Sequence, residues 1–151
     1  MLLKDKVLLV SYAASCAGYK AIEIPVEHAL IYNLWRKKTL SFEGYLFGVD
    51  YYPPFDGFET GVHYPRSIQL ASDLNRLITC DLLTITTSSA QGYSLTEFGR
   101  QKVETILQTT EKIENKSFKD ITHDVADRLS DKRALIQECY RIYLNEPVRS
   151  Q

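Results

Sequence analysis

Leu82-Leu83-Thr84-Ile85-Thr86-Thr87, Ser88-Ser89-Ala90-Gln91-Gly92 and Tyr93-Ser94-Leu95-Thr96-Glu97-Phe98-Gly99 follow one another without a break, and their reading decides the fold. The first run is rich in β-branched residues and predicts a strand. The second has the small polar residues of a turn, and Tyr93-Ser94-Leu95 pairs back as a second strand. Thr96 then serves as an N-cap, because its side-chain oxygen can accept from the free amides of a first helical turn. The helix it opens is predicted to run for about 20 residues, with Val103, Ile106, Leu107, Thr110 and Ile113 on one face.

Upstream, Arg66 to Thr79 places Ile68, Ala71, Leu74, Leu77 and Ile78 at helical spacing directly after Pro65. Helix, two-stranded hairpin, helix is the ending of a winged helix-turn-helix domain. Two more helices are predicted before it. Leu2 to Ala17 carries Leu3, Val7, Val10 and Ala14 on one side and stops at Gly18, and Val26 to Lys38 follows Pro25, a residue favoured at helix starts. Arg36-Lys37-Lys38 close the second helix, where they complement the negative end of its dipole.

Downstream, Ile121, Val125 and Leu129 define a short amphipathic helix, and Ser130 is placed to cap another. That last helix has two apolar faces, Leu135-Cys139-Ile142 and Ile136-Tyr140-Tyr143, a surplus that predicts a subunit interface. The expected architecture is mainly α with a small β-hairpin. A winged-helix domain spans 1–115, with an insertion at 39–64, and a C-terminal helical extension spans 116–151.

The insertion breaks the periodicity. Gly44, Gly48, Pro53, Pro54, Gly57 and Gly61 punctuate it, yet it holds Phe42, Tyr45, Phe47, Tyr51, Tyr52, Phe55, Phe58 and Tyr64. Tyr45 to Tyr52 has the character of a short extended piece. A loop this long inside a small domain is often functional, and this one is too aromatic to be a solvated linker. Its rings are expected to cover the core, to meet a partner, or both, since tyrosine offers area and a hydroxyl together. Tyr51, Tyr52, Phe55 and Phe58, then Tyr140 and Tyr143, are the expected partner contacts.

Composition narrows the function. The chain has 151 residues, 44 % hydrophobic and 25 % charged, which are globular values, and its 18 basic and 19 acidic residues leave a net charge of −1. Lys4, Asp5 and Lys6 interrupt the N-terminal apolar run, so neither a membrane helix nor a secretory leader is expected. Cys16, Cys80 and Cys139 lie far apart among apolar neighbours and read as buried free thiols of a cytoplasmic protein. Neither Cys-x-x-Cys nor the His-x-x-x-His of helical zinc ligands occurs, and Gly57-Phe58-Glu59-Thr60-Gly61 lacks the lysine of a phosphate loop. His28, His63 and His123 stand apart, and His123 beside Asp124 reads as a solvated helix residue rather than half of a His-Asp metal pair. No catalysis, metal or cofactor is expected.

DNA binding is the alternative. Arg66, Gln69, Asn75 and Arg76 are the outward residues suited to base edges or phosphates. Against it, Asp73 shares that face and the wing at Ser88 to Gln91 has neither Lys nor Arg. Within 65–110, Arg66, Arg76, Arg100 and Lys102 are balanced by Asp73, Asp81, Glu97 and Glu104. Affinity for DNA comes largely from phosphate neutralisation, so contact with DNA is expected to be weak or indirect.

Tyr64-Pro65-Arg66-Ser67, then Leu74, Leu77 and Leu82-Leu83, then Gly92 to Gly99 together resemble a recurring bacterial winged-helix pattern. It occurs in Panacea-like antitoxin domains and in the small middle-component subunits of ABC-ATPase three-component antiphage systems such as Lamassu. The resemblance covers about Ile24 to Leu107, and departs from the pattern at Cys80-Asp81, where a glycine is common. It implies a non-catalytic protein that works by contact: an adaptor between an SMC-like ATPase and an effector nuclease, or an antitoxin-like inhibitor. A DNA-binding transcriptional regulator is the remaining alternative.

Overall fold

The computed structural model describes residues 1–87 and 91–146 and is mainly helical with small antiparallel sheets. Helix α1 (Leu3–Cys16) leads through the two-residue strand β1 (Ile22–Glu23) into α2 (Ile24–Arg36). Every residue of α2 from Pro25 to Leu34 is buried, so this helix is the axis of the core. Then come the hairpin strands β2 (Phe47–Tyr52) and β3 (Val62–Ser67), helix α3 (Ile68–Thr79), and strands β4 (Leu83–Thr86) and β5 (Gly92–Leu95). Helix α4 (Glu97–Thr109), the short hairpin β6 (Lys112–Ile113) and β7 (Lys116–Ser117), and helices α5 (Phe118–Leu129) and α6 (Lys132–Leu144) complete the described chain.

Three antiparallel strands run in the order β1-β5-β4, with Ile22 opposite Tyr93 and Leu83 opposite Leu95. Thr96 caps α4 as expected, its Oγ1 accepting from the Gly99 amide at 3.0 Å while donating to Asp81 O. Asp81 has φ 60°, the left-handed conformation that short polar side chains tolerate, and so it does the turning a glycine would do there. The turn at Ser88 to Ala90 lies outside the described residues.

Several boundaries differ from expectation. Helix α4 ends at Thr109, and Ile113 enters the core from β6 instead. The β6–β7 turn places both Glu114 (φ 50°) and Asn115 (φ 69°) in the left-handed region that a tight hairpin demands. Glu114 also holds the chain there, accepting from Lys6 Nζ at 2.8 Å and from the Ser41 amide at 2.8 Å. The cap of α6 is Asp131, whose carboxylate accepts from the Ala134 amide, while Ser130 ends α5 and donates back to Asp127 O. Cys139 is buried and its thiol reaches Ala29 O at 3.2 Å, but Cys16 and Cys80 are exposed, so the reading of three buried thiols holds for one alone.

Both apolar faces of α6 are used within the chain. The helix packs against α2 on one side and β3 on the other, so its double pattern reports a sandwiched helix and requires no second subunit. Leu135, Ile136 and Cys139 share a single core with α1 and α2, as do Ile121, Val125 and Leu129 of α5. No helix among the described residues is long and apolar enough to cross a membrane.

Gly99 tests the junction between the β4–β5 pair and α4. A Cβ there would sit 2.2 Å from Leu82 O and 2.7 Å from Leu95 Cδ1. Helix propensity alone would make Gly99→Ala stabilising by about 1 kcal/mol. The clash is with backbone and outweighs it, so Gly99→Ala is expected to lower the unfolding free energy by about 1–3 kcal/mol. Urea titration followed by circular dichroism reads this as a fall in midpoint, and an unchanged or higher midpoint contradicts the packing.

Candidate functional site

The insertion is a hairpin rather than an irregular loop. Strand β2 pairs with β3 along its whole length, from Phe47 opposite Ser67 to Tyr52 opposite Val62. Arg66 therefore belongs to β3, and α3 begins two residues later than expected. The start is set by Ser67, whose Oγ accepts from the Leu70 amide at 3.2 Å.

Rings fasten both ends of the hairpin. At its base, Phe47 packs edge-on against Tyr32 (centroids 5.0 Å) and near Trp35 (6.4 Å). At its tip, Phe55 and Phe58 stack at 4.6 Å and bond through their backbones, Tyr52 meets Phe55 edge-on, and Arg133 of α6 lies over Phe58 while donating to Gly57 O. Tyr51 tilts against His63, which stacks on Tyr140 of α6.

These contacts sort the expected partner residues. Phe55 and Phe58 are 8 % and 5 % exposed and belong to the core, so they are withdrawn from any contact surface on the folded chain. Tyr52, Tyr140 and Tyr143 are half-buried, and Tyr143 lies beside Tyr32. Tyr51 is 48 % exposed and is the one ring of the six that faces outward.

A groove of about 400 Å³ lies between β2 and the start of α3, lined by Leu46, Phe47, Gly48, Val49, Asp50, Arg66, Ile68 and Gln69. Leu46 and Ile68 are each 71 % exposed and Val49 is 41 % exposed. Ile68 is expected in the core from spacing alone, but the buried stripe of α3 is Leu70, Leu74 and Leu77. Two residues before Leu70 is 200° around a helix, which turns Ile68 outward. Sequence reasoning missed Leu46 and Val49 because two exposed apolar residues among eight aromatics carry no periodic signal.

The groove also holds two of the four residues named for DNA, Arg66 and Gln69. Arg66 Nε lies 3.6 Å from Asp50 Oδ2, and Gln69 Oε1 accepts from the Leu46 amide at 3.1 Å. Arg76 lies farther along α3 and faces Asp73 at 3.7 Å, while Asp73 accepts from the Tyr45 hydroxyl at 2.6 Å. Asn75 is exposed. Asp73 is thus half-buried and shared between two donors.

Two ionisable groups of α2 sit beneath this region. His28 Nδ1 accepts the Ser67 amide at 3.1 Å, and burial, together with the Arg66 charge, lowers its pKa to about 3. The imidazole is neutral and works as an acceptor. Glu27 is fully buried, neither carboxyl oxygen has a hydrogen-bond partner, and burial raises its pKa to about 8. Among the described residues no group of three or more His, Cys, Asp or Glu is placed to hold a metal ion. His123 is exposed.

Glu27 makes stability depend on pH in a defined direction. The unfolded carboxyl ionises near 4.5, whereas the folded one keeps its proton up to about 8. Between those limits the unfolded state binds fewer protons, so stability falls as pH rises. Glu27→Gln has no such titration and adds only a pH-independent offset. The unaltered chain is expected to lose stability relative to Glu27→Gln across that window, by on the order of a few kcal/mol at its upper end. Urea midpoints at several pH values measure it, and a constant difference would show that the carboxyl reaches water.

No family model matches this chain, and no curated protein or solved structure matches it either.

Proposed function

We propose that this chain is a winged-helix adaptor: a non-catalytic accessory subunit of a bacterial multiprotein complex that works by protein contact. The order α1-β1-α2-α3-β4-β5 with the sheet β1-β5-β4 supports the winged-helix reading, the hairpin β2–β3 being inserted between α2 and α3. The resemblance of Tyr64 to Ser67 and Gly92 to Gly99 supports an antiphage assembly in which such a subunit links an SMC-like ATPase to an effector nuclease.

The observation that carries the protein-contact reading is the seat of the inserted hairpin. It lies against the first turn of α3, the end that a recognition helix presents to base edges. The Leu46 amide just before β2 engages Gln69 of α3, and Asp50 of β2 holds Arg66 of β3 beside it. The insertion at 39–64 contains Glu43, Asp50, Asp56 and Glu59 and neither Lys nor Arg, a field that repels phosphate. Apolar side chains beside it are exposed, as on a surface that meets protein.

Purification of the tagged chain from its native host, with and without nuclease, tests the proposal. The expected result is a nuclease-resistant complex containing an ATPase subunit and a nuclease. Recovery of the chain alone, or with DNA that nuclease removes, overturns it. A regulator would in addition shift DNA at low salt and lose that shift in Arg66→Ala and Arg76→Ala.

A further inference from the structure

Among the described residues strand β2 has an open outer edge, and hydrogen-bond parity shows which groups it presents. In an antiparallel pair, residues directly opposite alternate between exchanging both backbone bonds and exchanging none. The Ser67 amide, opposite Phe47, points away from β2 to His28. Pro65, opposite Val49, has no amide hydrogen. The Tyr51 amide, opposite His63, is bonded to Asp50 Oδ1 at 2.8 Å. All three lie in the same register class, so Phe47, Val49 and Tyr51 are the non-exchanging residues. The N–H and C=O groups of Phe47 and Val49 therefore point outward from the sheet, and Gly48 to Tyr51 are exposed.

Exposed edges are usually blunted by lysine, proline, a bulge or a covering element, because they template pairing with another chain. Strand β2 has neither lysine nor proline, and its register with β3 runs through all six residues without a bulge. The groove between β2 and the start of α3, lined also by Arg66 of β3, leaves Leu46, Val49 and Ile68 exposed.

We propose that the outer edge of β2 accepts an extended, basic segment of a partner protein as an added strand. The proposal rests on the protein-contact reading and gives it a surface. The amide and carbonyl of Val49 and of Phe47 would exchange backbone bonds with the incoming strand, and alternate apolar side chains of that strand would enter the groove. The charge of the occupant follows from the hairpin itself: Asp50 is paired with Arg66, while Glu43, Asp56 and Glu59 have no ion-pair partner among the described residues. Lys and Arg on the other face of the added strand complement those carboxylates. A second copy of this chain paired edge to edge would instead set two such acidic hairpins side by side.

The test presents the purified full chain to a display library of random segments of about ten residues, the upper length of ordinary strands. Recovered segments are expected to alternate Val, Ile or Leu with Lys or Arg and to lack proline. With the best segment synthesised, the Phe47 and Val49 amides are expected to become protected from hydrogen exchange. Val49→Pro removes an outward amide and no bond to β3, and Ile68→Lys changes a side chain outside the core. Each is expected to weaken binding by at least about tenfold while its urea midpoint shows a folded chain.

Recovery of nothing, acidic or helical-period sequences, protection elsewhere, or full binding by Val49→Pro would falsify the edge. So would a free chain already dimeric by light scattering with Val49 protected. The two readings separate cleanly. Host partners retained by Val49→Pro remove the edge and leave the adaptor, whereas loss of host partners by the unaltered chain, with peptide still protecting Val49, removes the adaptor and leaves the edge.

Discussion

A neutral imidazole accepting one backbone hydrogen bond organises the half of the molecule that carries the inserted hairpin. His28 can take the Ser67 amide only while Nδ1 is unprotonated, and burial within α2 keeps it so. An amide buried there without that acceptor would cost about 1–3 kcal/mol. Because the Ser67 amide is turned toward α2, the parity of the whole β2–β3 ladder is fixed, and with it the side of β2 that faces solvent. The Ser67 hydroxyl meanwhile caps α3. One residue thus joins the helix axis, the hairpin and the start of the next helix, and the groove lies where these three meet.

The near-zero net charge conceals a separation. Acidic groups gather on the insertion, while the basic triplet at the end of α2 is drawn toward α6: Arg36 Nε reaches Glu146 at 2.5 Å and Lys37 reaches Glu138 at 3.2 Å. Arg36 also lies over the Trp35 ring at 4.3 Å. Two of the three cations therefore have carboxylate partners inside the chain. Among the described residues the acids of the insertion have one ion-pair partner, Arg66 beside Asp50, and Arg133 lies over Phe58 at the tip. Glu43, Asp56 and Glu59 remain without an ion-pair partner among the described residues, which is why the proposed partner strand is basic.

Regular periodicity was legible wherever one face of an element meets the core, as in α3, α5 and the β4–β5 pair, whereas α1 is buried from Lys6 through Ser11 on all sides. Legibility failed where tertiary contact overrides local pattern. β3 contains Pro65 and runs straight into a helix, so the sequence presents it as the helix's own first turn, and only pairing with β2 reveals a strand. The length of α4 fails for a similar reason: Ile113 stands seven residues after Ile106, as on one helix face, but enters the core from β6 beyond the end of α4. The two faces of α6 were read correctly as apolar, but a sequence does not say that α2 and β3 stand on either side of it. At the site, Tyr51, Arg66 and Gln69 were visible as residue types, whereas the outward amides of Phe47 and Val49 depend on a hydrogen bond from a residue 39 positions distant from His28. No local pattern encodes backbone parity.

The proposed edge pairing is favoured because the hairpin is held by its own contacts without it. Its base is fixed by Phe47 between Tyr32 and Trp35 and by the Leu46 amide on Gln69, and its tip by the Phe55–Phe58 stack under Arg133. Ordering a flexible loop at an interface costs about 0.5–1.5 kcal/mol for each side chain immobilised. Here the ordering is already present in the free chain, so that cost falls on the incoming segment alone. The aromatic residues of the insertion would therefore serve the proposed contact from within: Phe55 and Phe58 support the strand whose edge, and not whose rings, is proposed to meet a partner.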